Sequence, residues 1–167
     1  MSAPIIVTAL MGARDFAWAD GLRRVHFPPE RNVLPAHITL FHHLPPSALD
    51  EVKRRLAQYC AGPAPVARLD SVMGLGRGVA FRIDSPDLMD MRDDMADAFT
   101  GLLTPQDQAR PRLHITVQNK VDPADARALE QSLRAEFRPR PLQIAGLAAW
   151  HYRGGPWELA AQYKFRG

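Results

Sequence analysis

The chain has 167 residues, enough for one domain or two small lobes on a shared core, and enough to bury that core without disulfides or structural metal. Hydrophobic residues at 46%, charged residues at 23% and the lone Cys60 exclude a disulfide framework and a membrane span, and lead us to expect a folded, cytoplasmic protein. The net charge of +3 comes almost wholly from arginine, which permits a phosphate ligand, but no run is basic enough to make a nucleic-acid tail.

In chain order, residues 4–10 read as a strand; the run Ile5-Ile6-Val7-Thr8-Ala9-Leu10 lacks the basic flank and length of a signal segment. A helix follows over 15–25, with Phe16, Leu22 and Val25 inward and Arg23 and Arg24 outward, stopping before Pro28-Pro29. The strand 36–42 precedes a helix over 46–60 with Leu49, Val52, Leu56 and Tyr59 on one stripe. Strands 66–73 and 79–83 flank Gly74-Leu75-Gly76-Arg77-Gly78, which reads as a hairpin turn and not as a dinucleotide loop, since no helix follows it. A helix over 86–103 enters through Ser85-Pro86 and carries Leu88, Met91, Met95, Phe99 and Leu102; the methionines read as core. Strand 112–118, a helix over 123–137 entered through Asp122-Pro123, and strands 142–152 and 157–165 complete the chain.

These elements form two series. Strand, helix, strand, Pro-led helix and strand run through about residues 4–73, and the same order runs through 79–165. A repeat of this kind predicts two lobes about a pseudo-twofold axis, packed as one domain over 1–167 because no flexible linker separates them. At matching points of the two series stand His37-Ile38-Thr39-Leu40 and His114-Ile115-Thr116-Val117. Side chains alternate along a strand, so His37 shares a face with Thr39, and His114 with Thr116, while the aliphatic residues face the helices.

Opposed across a cleft, these faces supply two imidazoles and two hydroxyls. One neutral ring takes a proton from water, one charged ring gives a proton to a departing sugar oxygen, and the hydroxyls donate to phosphoryl oxygens. Phosphodiester cleavage without metal or cofactor is the chemistry that set suits. A metal site is not read from the histidines: His37 and His43 lie about 20 Å apart along an extended strand, and no zinc or two-metal spacing occurs. His42 and His43 are assigned to the strand end, His26 and His151 to surface or packing, and Cys60, which has no His/Asn pattern around it, to packing.

With these motifs, and the lead-in from Leu22-Arg23-Arg24 through Phe27-Pro28-Pro29 to Leu34-Pro35-Ala36, the chain resembles the two-histidine (2H) phosphoesterase superfamily, which includes 2′-5′ RNA ligase and RNA 2′,3′-cyclic phosphodiesterase types. The resemblance implies a bilobal α+β fold in which antiparallel sheets line a central groove with helices outside. It implies hydrolysis of 2′,3′-cyclic phosphates of nucleotides or RNA ends, with His37, Thr39, His114 and Thr116 as the catalytic set, and it explains a ligase label as the same steps run in reverse. Several bacterial relatives carry an arginine soon after the second motif; here Gln118-Asn119-Lys120 stands instead. By alternation Phe41 continues the first motif face, where it either stacks a base or packs as a core aromatic at the strand end, while Gln118 and Lys120 continue the second, where Lys120 either contacts phosphate or is simply exposed. A monomer is expected. A nucleotide- or RNA-binding module with little turnover, and a scaffold whose motif faces meet a partner, are the competing readings.

Overall fold

The structure, a computed structural model, describes residues 3–167; Met1 and Ser2, which the expected 1–167 domain includes, lie outside the described residues. Strand β1 (Ile5–Met11) and helix α1 (Ala13–His26) lead through a 3-10 turn at Pro29–Arg31 to β2 (Ile38–Leu44) and α2 (Leu49–Cys60). Then come β3 (Ala67–Gly74), β4 (Val79–Asp84), α3 (Pro86–Ala98), the one-turn α4 (Pro105–Gln108) and β5 (His114–Gln118). Helix α5 (Pro123–Glu136) precedes β6 (Arg140–Leu142), β7 (Ile144–His151) and β8 (Glu158–Lys164). Among the described residues no helix is long and apolar enough to cross a membrane.

The strands form two four-stranded antiparallel sheets, ordered β2-β1-β7-β8 and β5-β4-β3-β6. The two orders superimpose strand for strand: β1 on β4, β2 on β5, β7 on β3 and β8 on β6. Each half of the chain therefore gives its last long strand to the other half's sheet. The sequence series end at β3 and β7, but β3 pairs with β4 and β7 pairs with β1. The reason lies in the connections: the tight turn after Gly74, where Leu75 N–H donates to Gly78 O at 2.9 Å, allows only a hairpin. Gly78 is obligatory there, since a Cβ would lie 2.0 Å from Gln118 O.

Helix α2 packs on β7 and β8, α5 on β3 and β4, and α1 crosses to β5. Ile5, Val7, Ala9, Leu147 and Ala149 share one face of the first sheet, and with Val52 and Leu56 of α2 they belong to the buried core. Phe81 anchors the second sheet, 4.8 Å from the Trp18 ring and 5.5 Å from that of Phe137.

Several elements differ from the sequence expectation. Helix α3 stops at Ala98 instead of 103: Thr100 Oγ1 donates to Asp97 O at 2.8 Å, Gly101 takes φ 88°, and Leu102 is left exposed. The run 142–152 is two strands, because Gln143 leaves the ladder, its N–H donating to Asp15 Oδ2 (2.8 Å) and its carbonyl accepting from Gly12 N–H (3.0 Å). On α1 the expected faces are reversed in part: Arg23 is 5% exposed, whereas Val25 is 74% exposed. The guanidinium is tolerated inside because its N–H groups meet the carbonyls of Leu34 and Thr116.

Candidate active site

His37 stands immediately before β2 and His114 opens β5, the two motif strands being in contact. Both rings are held the same way. His37 Nδ1 lies 2.8 Å from Pro35 O, and His114 Nδ1 lies 2.7 Å from Arg112 O, each carbonyl two residues upstream. A carbonyl only accepts, so Nδ1 carries the proton and donates, which leaves Nε2 of each ring free to exchange protons. Thr39 faces Thr8 across the β1–β2 ladder and Thr116 faces Ala80 across β4–β5. Both threonines, like both histidines, are partly exposed.

The environments differ. Burial is the main cause that lowers the His37 pKa to about 4; the Pro35 carbonyl acts in the opposite direction, and the charges of Arg23, His114 and His42 depress it further. Trp157 packs edge-on against His37 with centroids 4.7 Å apart, and Trp150, whose Nε1 donates to Thr8 Oγ1 at 2.9 Å, stands behind it. His114 has Arg82 as its direct cross-strand neighbour, the arginine donating to Asp70 at 3.0 Å.

Immediately after each threonine the alternation breaks. Thr8 pairs with Thr39 but Val7 pairs with Phe41, and Ala80 pairs with Thr116 but Val79 pairs with Gln118. One extra residue enters each motif strand at the same place, a bulge that turns the next side chains over. Phe41, which simple alternation places beside His37 and Thr39, is therefore 0% exposed, the core aromatic of the two readings and not the base-stacking one, under the Arg92 guanidinium at 4.3 Å. Gln118 is likewise turned inward and 6% exposed, its Oε1 buried without a hydrogen-bond partner. Lys120 lies past the end of β5 with φ 64°, exposed on a turn rather than continuing the strand face.

Two arginines that sequence periodicity placed outward or overlooked hold these bulges. Arg23 Nη1 donates to Thr116 O at 3.0 Å, while its Nε donates to Leu34 O (2.9 Å) and Asn32 Oδ1 (2.7 Å). Arg92 Nε donates to Leu40 O at 3.2 Å and its Nη2 to Asp107 O. Each guanidinium sits on the helix that follows the first strand of its own series and reaches a carbonyl on the other series' motif strand. The signal was present: Leu88, Arg92 and Met95 share the apolar stripe of α3, so Arg92 occupies a core position.

His42 and His43 do lie on β2 and are exposed. Their N–H groups donate to the buried Asp107 carboxylate, and the His42 ring lies 3.2 Å from it. Burial alone would raise the Asp107 pKa, but these bonds hold it below the usual value. Asp107 follows the cap Thr104 and Pro105, a helix-start pattern that could have revealed α4. The Cys60 thiol is buried, 3.6 Å from Tyr163 O, and burial pushes it up to about 11, as for an inert packing residue.

Comparison with known proteins agrees with this architecture. No curated protein sequence matches the chain. Among solved structures, TT0787 of Thermus thermophilus superimposes with a TM-score of 0.64 at 14% identity, over 98% of both chains. E. coli LigT complexed with NADP+ gives 0.62 at 16% identity over 99% of each chain. LigT complexed with 3′-AMP gives 0.62 at 15% over the full length of both. At such identities the likeness is one of fold. The family model of the 2′-5′ RNA ligase superfamily matches residues 13–156, a span that includes both histidine motifs, and the chain belongs to that superfamily of two-histidine phosphoesterases.

Proposed function

We propose that the protein is a metal-independent cyclic phosphodiesterase that hydrolyses 2′,3′-cyclic phosphates of nucleotides or RNA ends by paired histidine acid–base catalysis. The observation that carries this reading is the matched anchoring of His37 and His114, each with Nδ1–H given to a carbonyl and Nε2 left for proton transfer. We assign His37 the role of base, because burial keeps its ring neutral, and so able to accept a proton, above about pH 4. Its Nε2 takes a proton as a water oxygen bonds to phosphorus. The bond from phosphorus to one ribose oxygen breaks, and that oxygen takes the proton from His114 Nε2. Solvent then returns a proton to His114 and removes one from His37. Thr39 and Thr116 hydroxyls donate to the non-bridging oxygens as charge grows on them. With a 5′-hydroxyl in place of water as the nucleophile, the same sequence opens the cyclic phosphate and joins the two ends, its proton going to His37 and the departing ribose oxygen taking one from His114. All four groups belong to one chain, which supports a monomer as the working unit.

The test is turnover of a panel of 2′,3′-cyclic nucleotides and cyclic-ended oligonucleotides in EDTA, with the phosphate position of the product read out. Ring opening is expected, and its absence from every member, with binding retained, would replace the enzyme by a nucleotide-binding module.

A further inference from the structure

Beside His37 lies a cavity of about 280 Å³, in which the mechanism above uses His37 but places no part of the substrate. Leu10, Phe16, Val33, Leu34, Trp150 and Trp157 form most of its wall, and His37 is the only ionisable side chain that lines it. Two polar pairs of the wall are engaged with each other, the Trp150 indole N–H with Thr8 Oγ1 and His37 Nδ1–H with the Pro35 carbonyl, which leaves the Trp157 indole N–H and His37 Nε2. Such a wall offers ring faces and aliphatic surface but few groups able to read the edge of a base. Every further nucleotide of an RNA chain would bring a phosphate, and an apolar pocket desolvates that charge without a cationic partner. The volume falls at the low end for ligand pockets, the size of one ring system. The opposite side of the cleft contrasts with it, since Arg82 is the cross-strand neighbour of His114.

We infer that this pocket receives one flat aromatic group at the end of the phosphoester substrate, stacked against Trp157 and held without edge hydrogen bonds. The assignment rests on the proposed phosphoesterase reading and fixes the direction in which the substrate lies, with its ring beside His37 and any further anionic part toward His114. A nucleobase and a non-nucleotide aryl group share this chemistry.

Calorimetric binding of methyl phosphate, 1-naphthyl phosphate, 2′-AMP and 2′-CMP separates them without turnover. The ring-bearing ligands should bind at least about tenfold tighter than methyl phosphate, the worth of one stacked ring. Trp157→Ala should reduce that ratio to about threefold or less. Phe16→Ala, on an exposed part of α1, should reduce it in part and guards against misfolding of the first variant. The nucleotides matching 1-naphthyl phosphate would identify a nucleobase, and 1-naphthyl phosphate exceeding both would identify an aryl ester. Equal binding of methyl phosphate and all three ring-bearing ligands, or a ratio that survives both substitutions, overturns the assignment. A protein that binds the rings through Trp157 but opens no cyclic phosphate leaves the pocket assigned and removes the hydrolase reading, so the two failures are distinct.

Discussion

The strands that carry His37 and His114 share a backbone device and differ in what surrounds it. In both, a histidine donates Nδ1–H to the carbonyl two residues upstream, a threonine follows two residues later, and a bulge then turns the next side chains to the other face. In both, a buried arginine from the other series secures the geometry by bonding a carbonyl beside the bulge. Around His37 the neighbours are tryptophans and aliphatic side chains; beside His114 stands Arg82. The repeat thus duplicates the histidine and the threonine, while the surroundings differ: burial lowers the pKa of the His37 ring, and Arg82 stands across the ladder from His114.

The strongest way to break the comparison is to remove each ring in turn. His37→Ala and His114→Ala are each expected to lower kcat by at least about 10²-fold, with the double variant little worse than either, because an acid and a base act as one unit. A single variant with full turnover would show that the halves are not partners. Thr39→Val and Thr116→Val sharpen it: losses of about 10- to 100-fold are expected for a donor to a developing charge. Equal losses would mean a symmetric clamp, and unequal ones would say which hydroxyl meets the more charged oxygen.

Arg23→Met and Arg92→Met test the shared scaffold. Each leaves buried carbonyls unpaired, and a stability loss of about 3 kcal/mol in urea unfolding is expected for either. A loss at only one site would end the structural equivalence of the two bulges.

Titration of His37 gives a further test. The folded His37 pKa, about 4, lies below the ordinary value of 6.5, so the unfolded chain binds the extra proton first. This contribution is complete above about pH 6.5 and is lost as pH falls toward 4, at most about 3 kcal/mol and less because the ring is partly exposed. Replacing His37 with Leu should flatten the stability curve in that window; an unchanged curve would place the ring in water. The smallest effect is expected at Lys120, which is exposed on a turn: Lys120→Ala should change kcat/KM within about twofold at physiological salt, and a larger drop would bring that turn into the substrate path.

Much of this was legible in the sequence. The paired His-x-Thr strands, the Pro-led helices α3 and α5 and the Gly74–Gly78 hairpin follow from alternation and local start and turn signals, and the pseudo-twofold order follows from their repetition. The bulges were not legible, because an inserted residue looks identical to a continuing strand when aliphatic and aromatic residues follow; that is why Phe41 and Gln118 were assigned to the wrong face. Arg23 was placed outward because a charge on a helix is normally solvated, and its partners are mostly backbone carbonyls, which leave no side-chain signature. The break at Gln143 depends on Asp15, far away in the chain. Trp157 lies 120 positions from His37 in the chain, and only the folded hairpin of β7 and β8 brings it against that ring.

The exchange of last strands between the two sheets has a consequence for assembly. Neither stretch of chain can complete its own sheet: residues up to the Gly74 turn lack β7 and β8, and the remainder lacks β3. The lobes are interlocked rather than tethered, so severing the chain at that turn should yield two fragments that fold only upon meeting. Because β1 must wait for β7, joined to it across most of the polypeptide, maturation should be slow for a protein of this size and should finish in one cooperative event.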